Sequence, residues 1–220
     1  MTRLTQLLSA LALLVALACA TAPALTAQTD YEPALAAHLA SLEADGSPDN
    51  LAAVGAALER IAAAHPDAWL PAYYAALAQQ RRHYAAGEAG CAPCLEAMDA
   101  HLVRAEAADD NAEVMTLRAS YYQSMLSLHP MRAPYYGPKA GTLLQQAMRK
   151  DPSNPRAASL YGQNLYYTPA MFGGGVAKAQ PHLARAVELF AAEADAERGV
   201  LPAWGARRAA AVNAQALAKL

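Results

Sequence analysis

Ala140-Gly141-Thr142-Leu143-Leu144-Gln145-Gln146-Ala147-Met148-Arg149-Lys150-Asp151-Pro152-Ser153-Asn154-Pro155 decides how this chain is read. Ala140, Leu144 and Ala147 fall on one helical face, and the two alanines let another helix approach closely. Asp151-Pro152 ends that helix, because proline restricts the residue before it and has no N–H to donate. Pro155 suits the first turn of a new helix, which runs through Gly162 to Tyr166-Tyr167. A chain of such units is a stack of helical pairs.

The same punctuation recurs on either side. His65-Pro66 closes a helix expected from about Leu51, and His129-Pro130 closes one expected from Ala112. Further helices are expected from Tyr31 to Glu43, Trp69 to Tyr84, Cys91 onward, Val176 to Ala194 and Ala203 to Leu220. Met131 to Pro138 reads as a rigid connector. No segment alternates as a half-buried strand does, so the reading is all helix.

Paired tyrosines expose a repeat. Tyr73-Tyr74, Tyr121-Tyr122 and Tyr166-Tyr167 sit in first helices of successive pairs, 48 residues apart (73 to 121) and then 45 (121 to 166). Second helices carry Met98-Leu102-Ala105, Ala140-Leu144-Ala147 and Ala179-Leu183-Ala186 at the same four-then-three spacing. Such self-similarity marks units that bury their faces only by stacking. Ala140, Leu144, Ala147 and Pro152, with Ala119 and Tyr122 in the preceding first helix, resemble the tetratricopeptide-repeat family over about residues 48–194. Gly162 and Leu165 keep the family spacing without its aromatic, and the links within pairs are lengthened. Tyr136-Gly137-Pro138-Lys139 and Phe172–Gly175 also resemble the connector and loop of a group of exported bacterial repeat proteins, a likeness that brings no activity with it. The resemblance implies a right-handed superhelical solenoid of three to four helical pairs plus a C-terminal capping helix, occupying residues 28–220 as one domain.

Arg3 followed by the apolar run Leu7–Ala18 and the small residues Ala24-Leu25-Thr26-Ala27 has the layout of a secretory signal peptide, residues 1–27, cleaved after Ala27. Cys19, after Ala16-Leu17-Ala18, gives a second reading as a lipid anchor, although Ala16 stands where a lipoprotein box prefers leucine. Either way the protein is expected outside the cytoplasm, periplasmic or extracellular, with no membrane span. Net charge is −2 and charged residues make up 16%, which leaves no nucleic-acid footprint.

Cys91-Ala92-Pro93-Cys94 is the sharpest local signal. In an exported chain these thiols are expected to meet an oxidising environment and form a local disulfide. A redox role needs a βαβ context that is lacking, and haem attachment needs a histidine where Leu95 stands. A zinc site would draw on His83 or His101 at no recognised spacing. Phe172–Gly175 reads as a glycine hinge, since the Gly-Lys-Ser/Thr ending of a phosphate loop is missing. No catalytic constellation, cofactor motif or metal set is visible, and an enzyme is not expected. Tyr74, Tyr122 and Tyr167 are the candidate groove residues, one from each pair, because tyrosine offers contact area at low entropic cost. The expected function is non-catalytic binding of a protein or peptide. The alternative is an accessory subunit of small-molecule uptake or thiol redox, using the groove or the Cys91–Cys94 pair.

Overall fold

The computed structural model describes residues 30–194 and 196–220. The signal-peptide segment, its Ala27 cleavage point and Cys19 lie outside the described residues. Nine α-helices make up the described chain: α1 (Glu32–Ala44), α2 (Pro48–Ala64), α3 (Trp69–Ala85), α4 (Ala92–Ala108), α5 (Ala112–Leu128), α6 (Ala133–Lys150), α7 (Pro155–Tyr167), α8 (Val176–Ala194) and α9 (Ala206–Leu217). Each packs against its neighbour in sequence, and α3, α5, α7 and α9 also touch in series. None of them is long and apolar enough to cross a membrane.

Helix starts follow from capping chemistry. Asn111 accepts from the Val114 N–H at 3.0 Å, and Asn154 accepts from the Ala157 N–H at 2.9 Å. Each thereby satisfies one of the amides that a helix start leaves unpaired. Pro48, Pro93 and Pro155 stand in first turns, where their missing N–H costs nothing. The small positions of the repeat are where helices close up. Ala105, Ala119, Ala140, Ala147, Ala179 and Ala186 are fully buried. A Cβ on Gly162 would lie 2.8 Å from Leu183, so glycine there sets the close approach of α7 and α8.

Two expectations need correcting. The connector at Met131–Pro138 is mostly helix: α6 already begins at Ala133 and carries Pro138 inside. Gly137 tolerates this because it has no Cβ to clash with the following proline ring. The last helix starts at Ala206 rather than Ala203, because Gly205 at φ +108° turns the chain by a conformation closed to other residues.

Residues ahead of that helix fold back over the molecule. Val200 is buried, its carbonyl accepts from the Tyr74 hydroxyl at 2.8 Å, and Trp204 donates its indole N–H to the Tyr73 hydroxyl at 2.8 Å. α3, already packed on α2, α4 and α5, is thereby covered on its remaining side. Every residue from Leu70 to Gln80 is buried.

Candidate binding cleft

α6 and α7 meet at the Asp151–Asn154 turn, and between them lies a cleft of about 930 Å³. One wall comes from α6 through Pro134, Gly137, Gly141 and Thr142. Tyr161, Leu165 and Tyr167 of α7 form the other, and Phe172 with its glycines closes the end. Gln145 donates to the Tyr161 hydroxyl at 2.7 Å, and Asn164 donates to the Gly137 carbonyl at 3.3 Å. These bonds tie the two walls together. A volume near the top of the ~300–1,000 Å³ range of small-molecule sites suits a large ligand.

An inner chamber of about 420 Å³ adjoins the cleft, and both are lined by Tyr84, Gln123, Gln163 and Arg208. The chamber is the more polar of the two, with Gln80, Ser120 and Ser159 on its walls. Gln80 donates to the Ser120 and Ser124 hydroxyls, and Tyr84 shares a 2.9 Å bond with Ser124. Burial raises the Tyr84 hydroxyl pKa, with the Ser124 bond and the Arg208 charge opposing it.

The chamber floor is a buried charge network. Arg156 is 1% exposed and donates to Glu113 and Glu193 at 2.7–2.9 Å. Asn154 and the Tyr73 hydroxyl also bond Glu113, at 2.9 and 3.3 Å, and Arg198 lies 3.3 Å from Glu193. Burial alone would lower the Arg156 pKa, but its bonds to Glu193 and Glu113 outweigh that and raise it. Arg156 is therefore spent on structure. It joins α5, α7 and α8 and has no charge to spare for a ligand.

Arg208, in the first turn of α9, differs in this respect. Its side chain is exposed, and its bonds among the described residues go to neutral groups, the Tyr167 hydroxyl at 3.0 Å and Gln163 Oε1 at 3.4 Å. Among the described residues, no aspartate or glutamate lines the cleft or the chamber. No histidine, cysteine or methionine among the described residues lines them either. The lining hydroxyls of Tyr84, Tyr161 and Tyr167 are each engaged with a neighbour.

The tyrosines named from sequence part company here. Tyr167 lines the cleft and is 59% exposed. Tyr74 is 4% exposed in the core, because the returning chain at Val200 covers the face it would have presented. Tyr122 is half-buried outside the cleft, stacked on Tyr136 at 6.1 Å with the Lys139 ammonium 5.1 Å from its ring centroid. Sequence reading passed over Arg208, Tyr84, Tyr161 and Thr142. The one available signal was Arg207-Arg208, a charged pair in an otherwise alanine-rich final helix.

Cys91 and Cys94 are bonded, with sulfurs 2.05 Å apart at the start of α4. The Cys91 N–H donates to His83 Nδ1 at 2.9 Å, and His83 Nε2 is bonded to the Ser127 hydroxyl at 2.7 Å. Neither cysteine lines the cleft or the chamber. In the Phe172–Gly175 loop, the amides of Gly173, Gly174 and Gly175 donate to Ala170, Pro169 and Leu165 carbonyls at 3.0, 3.3 and 2.9 Å. They seal the end of α7 rather than face an anion.

No family model and no curated protein matches the chain. Adjacent helix pairs and an open cleft without acids place it among all-helical proteins with a concave ligand-sized site. Within that class it belongs to the family of the HusA haemophore from Porphyromonas gingivalis, whose solved structure is 30% identical with a TM-score of 0.77. The match covers 87% of this chain and 94% of that one.

Proposed function

We propose that this protein is an exported, non-catalytic carrier that takes a flat, acid-bearing macrocycle of the haem class in the cleft between α6 and α7. The observation that carries the reading is the acid-free cleft of about 930 Å³, walled by aromatic and aliphatic groups, in a relative of a haemophore. Planar apolar rings gain from burial against Tyr161, Leu165 and Phe172, and a carboxylate meets no like charge on the walls. With the tyrosine hydroxyls engaged and no histidine, cysteine or methionine among the described residues lining the site, recognition rests on the ring and its acid groups rather than on iron. Metal-free protoporphyrin is accordingly expected to bind as haem does.

The same reading takes residues 1–27 as the signal peptide, residues 28–220 as one tetratricopeptide-like superhelical domain, and the Cys91–Cys94 bond as a structural staple. A protein or peptide ligand is the weaker alternative, because the face of α3 is occupied by the chain's own Val200 and Trp204.

Titration of the purified protein with protoporphyrin IX, followed by the ligand's absorbance, tests this. Thr142 is exposed on the cleft wall, so Thr142→Trp narrows the cleft without touching the core. Saturable binding by the parent and at least about tenfold weaker binding by the variant, at unchanged melting temperature, are expected. Absence of saturable binding, or equal affinity in the variant, contradicts the proposal.

A further inference from the structure

The cleft and the inner chamber differ in chemistry, and that difference orients a ligand. Leu126, Pro134, Pro138, Leu165, Pro169 and Phe172 make the outer cleft apolar. Gln80, Ser120 and Ser159 make the chamber more polar than the cleft, although Leu160, Phe190 and Trp204 also line it. Between them stands Arg208, which lines both.

From this arrangement we infer that Arg208 is a carboxylate anchor: an amphiphilic ligand lies with its apolar body in the outer cleft and its acid end turned inward, against the Arg208 guanidinium. The inference rests on the cleft being the binding site. It assigns to a named residue the recognition of the ligand's acid groups and fixes which end of the bound ligand lies innermost.

Three features support the anchor. The guanidinium already has neutral partners, the Tyr167 hydroxyl at 3.0 Å and Gln163 Oε1 at 3.4 Å, so part of its side-chain freedom is lost before binding. Those partners do not cancel its charge, and Nη1 has no hydrogen bond among the described residues. Arginine pairs with a carboxylate through two parallel N–H donors, a geometry stronger than either neutral bond it makes now. The other arginine of the chamber, Arg156, is neutralised by Glu113 and Glu193 and cannot compete. An acid end turned the other way, toward Phe172, Leu165 and Pro169, would meet no charged donor there.

The test pairs two ligands with two variants of the full protein. The ligands are protoporphyrin IX and its dimethyl ester, which keeps the ring and loses the charges. Arg208→Gln removes the anchor, while Arg207→Gln removes the same charge from a neighbouring exposed arginine that lines neither cavity. Packing of α9 relies on Ala209, Val212 and Ala216, so both variants fold, as circular dichroism verifies. On the parent protein the ester is expected to bind at least about tenfold more weakly than the acid. Arg208→Gln weakens acid binding by about the same factor and leaves ester binding unchanged, and Arg207→Gln changes neither. Equal binding of acid and ester overturns the anchor while leaving the cleft reading intact. So does equal loss in both variants, or equal loss for both ligands in Arg208→Gln. If neither ligand binds the parent protein, the carrier reading falls and the anchor with it.

Discussion

Arg156 and Arg208 carry the same side chain into the same concavity and do opposite things, because of what surrounds them. A guanidinium at 1% exposure is stable only where carboxylates replace its water, and Glu113 and Glu193 do so with bidentate geometry. Arg208 keeps its water and its charge. A second buried group, His101, shows the cost of incomplete pairing. Its Nδ1 has no partner among the described residues, and its Nε2 lies 3.4 Å from Glu59 Oε1. Burial lowers its pKa, with the bond to Glu59 and that residue's charge opposing. Burial lowers His182 in the same way, where its ring packs edge-on against Tyr161 at 4.7 Å. The folded protein resists protons that the unfolded chain accepts near pH 6.5. The stability these rings contribute is therefore whole above that pH and is lost as pH falls through the folded pKa. Urea denaturation is expected to show falling stability from about pH 7 to about pH 5, with His101→Leu flattening part of the decline. An identical decline in the variant contradicts this.

At the scale of elements, much was legible and the reasons are local. Asp151-Pro152, His65-Pro66 and His129-Pro130 mark helix ends because proline acts through the residue beside it. Asn154-Pro155 marks a start, and the helix begins there. Two of the boundaries that shifted, at Ala133 and Ala206, turn on a glycine whose effect depends on its neighbours. The Thr168–Gly175 loop is where element and site meet, since it holds Phe172 against the cleft. A Cβ on Gly174 would lie 2.2 Å from the Thr168 carbonyl oxygen and 2.6 Å from that of Leu165. Both contacts are backbone and cannot step aside. Gly174→Ala is expected to cost about 1–3 kcal/mol in chemical denaturation and to weaken porphyrin binding. Gly46, with nothing near its Cβ direction, gives the control, and Gly46→Ala is expected to change stability by less than about 0.5 kcal/mol. Equal effects of the two substitutions contradict the packing assigned to the loop.

For the molecule as a whole, the helical pairs were legible in the sequence but of the cleft only Tyr167 was, and the cause is chain return. Helix periodicity reports which face of a helix is buried, not what buries it. Tyr74 and Tyr167 occupy matching places in their pairs, yet one is enclosed by Val200 from 126 residues away and the other lines an open cleft. Arg208 likewise acquires its meaning only when α9 is brought against α7. The result is a concavity filled at the α3 end by the chain itself and open at the α6–α7 end. The most direct test of the carrier account is backbone chemical-shift mapping of the labelled protein during titration with protoporphyrin IX. The account predicts saturable shifts confined to the cleft side of α6, the end of α7, the Thr168–Gly174 loop, Tyr84 and the first turn of α9. Shifts centred on α1, α2 or the Cys91–Cys94 segment, or none at saturating porphyrin, would contradict it.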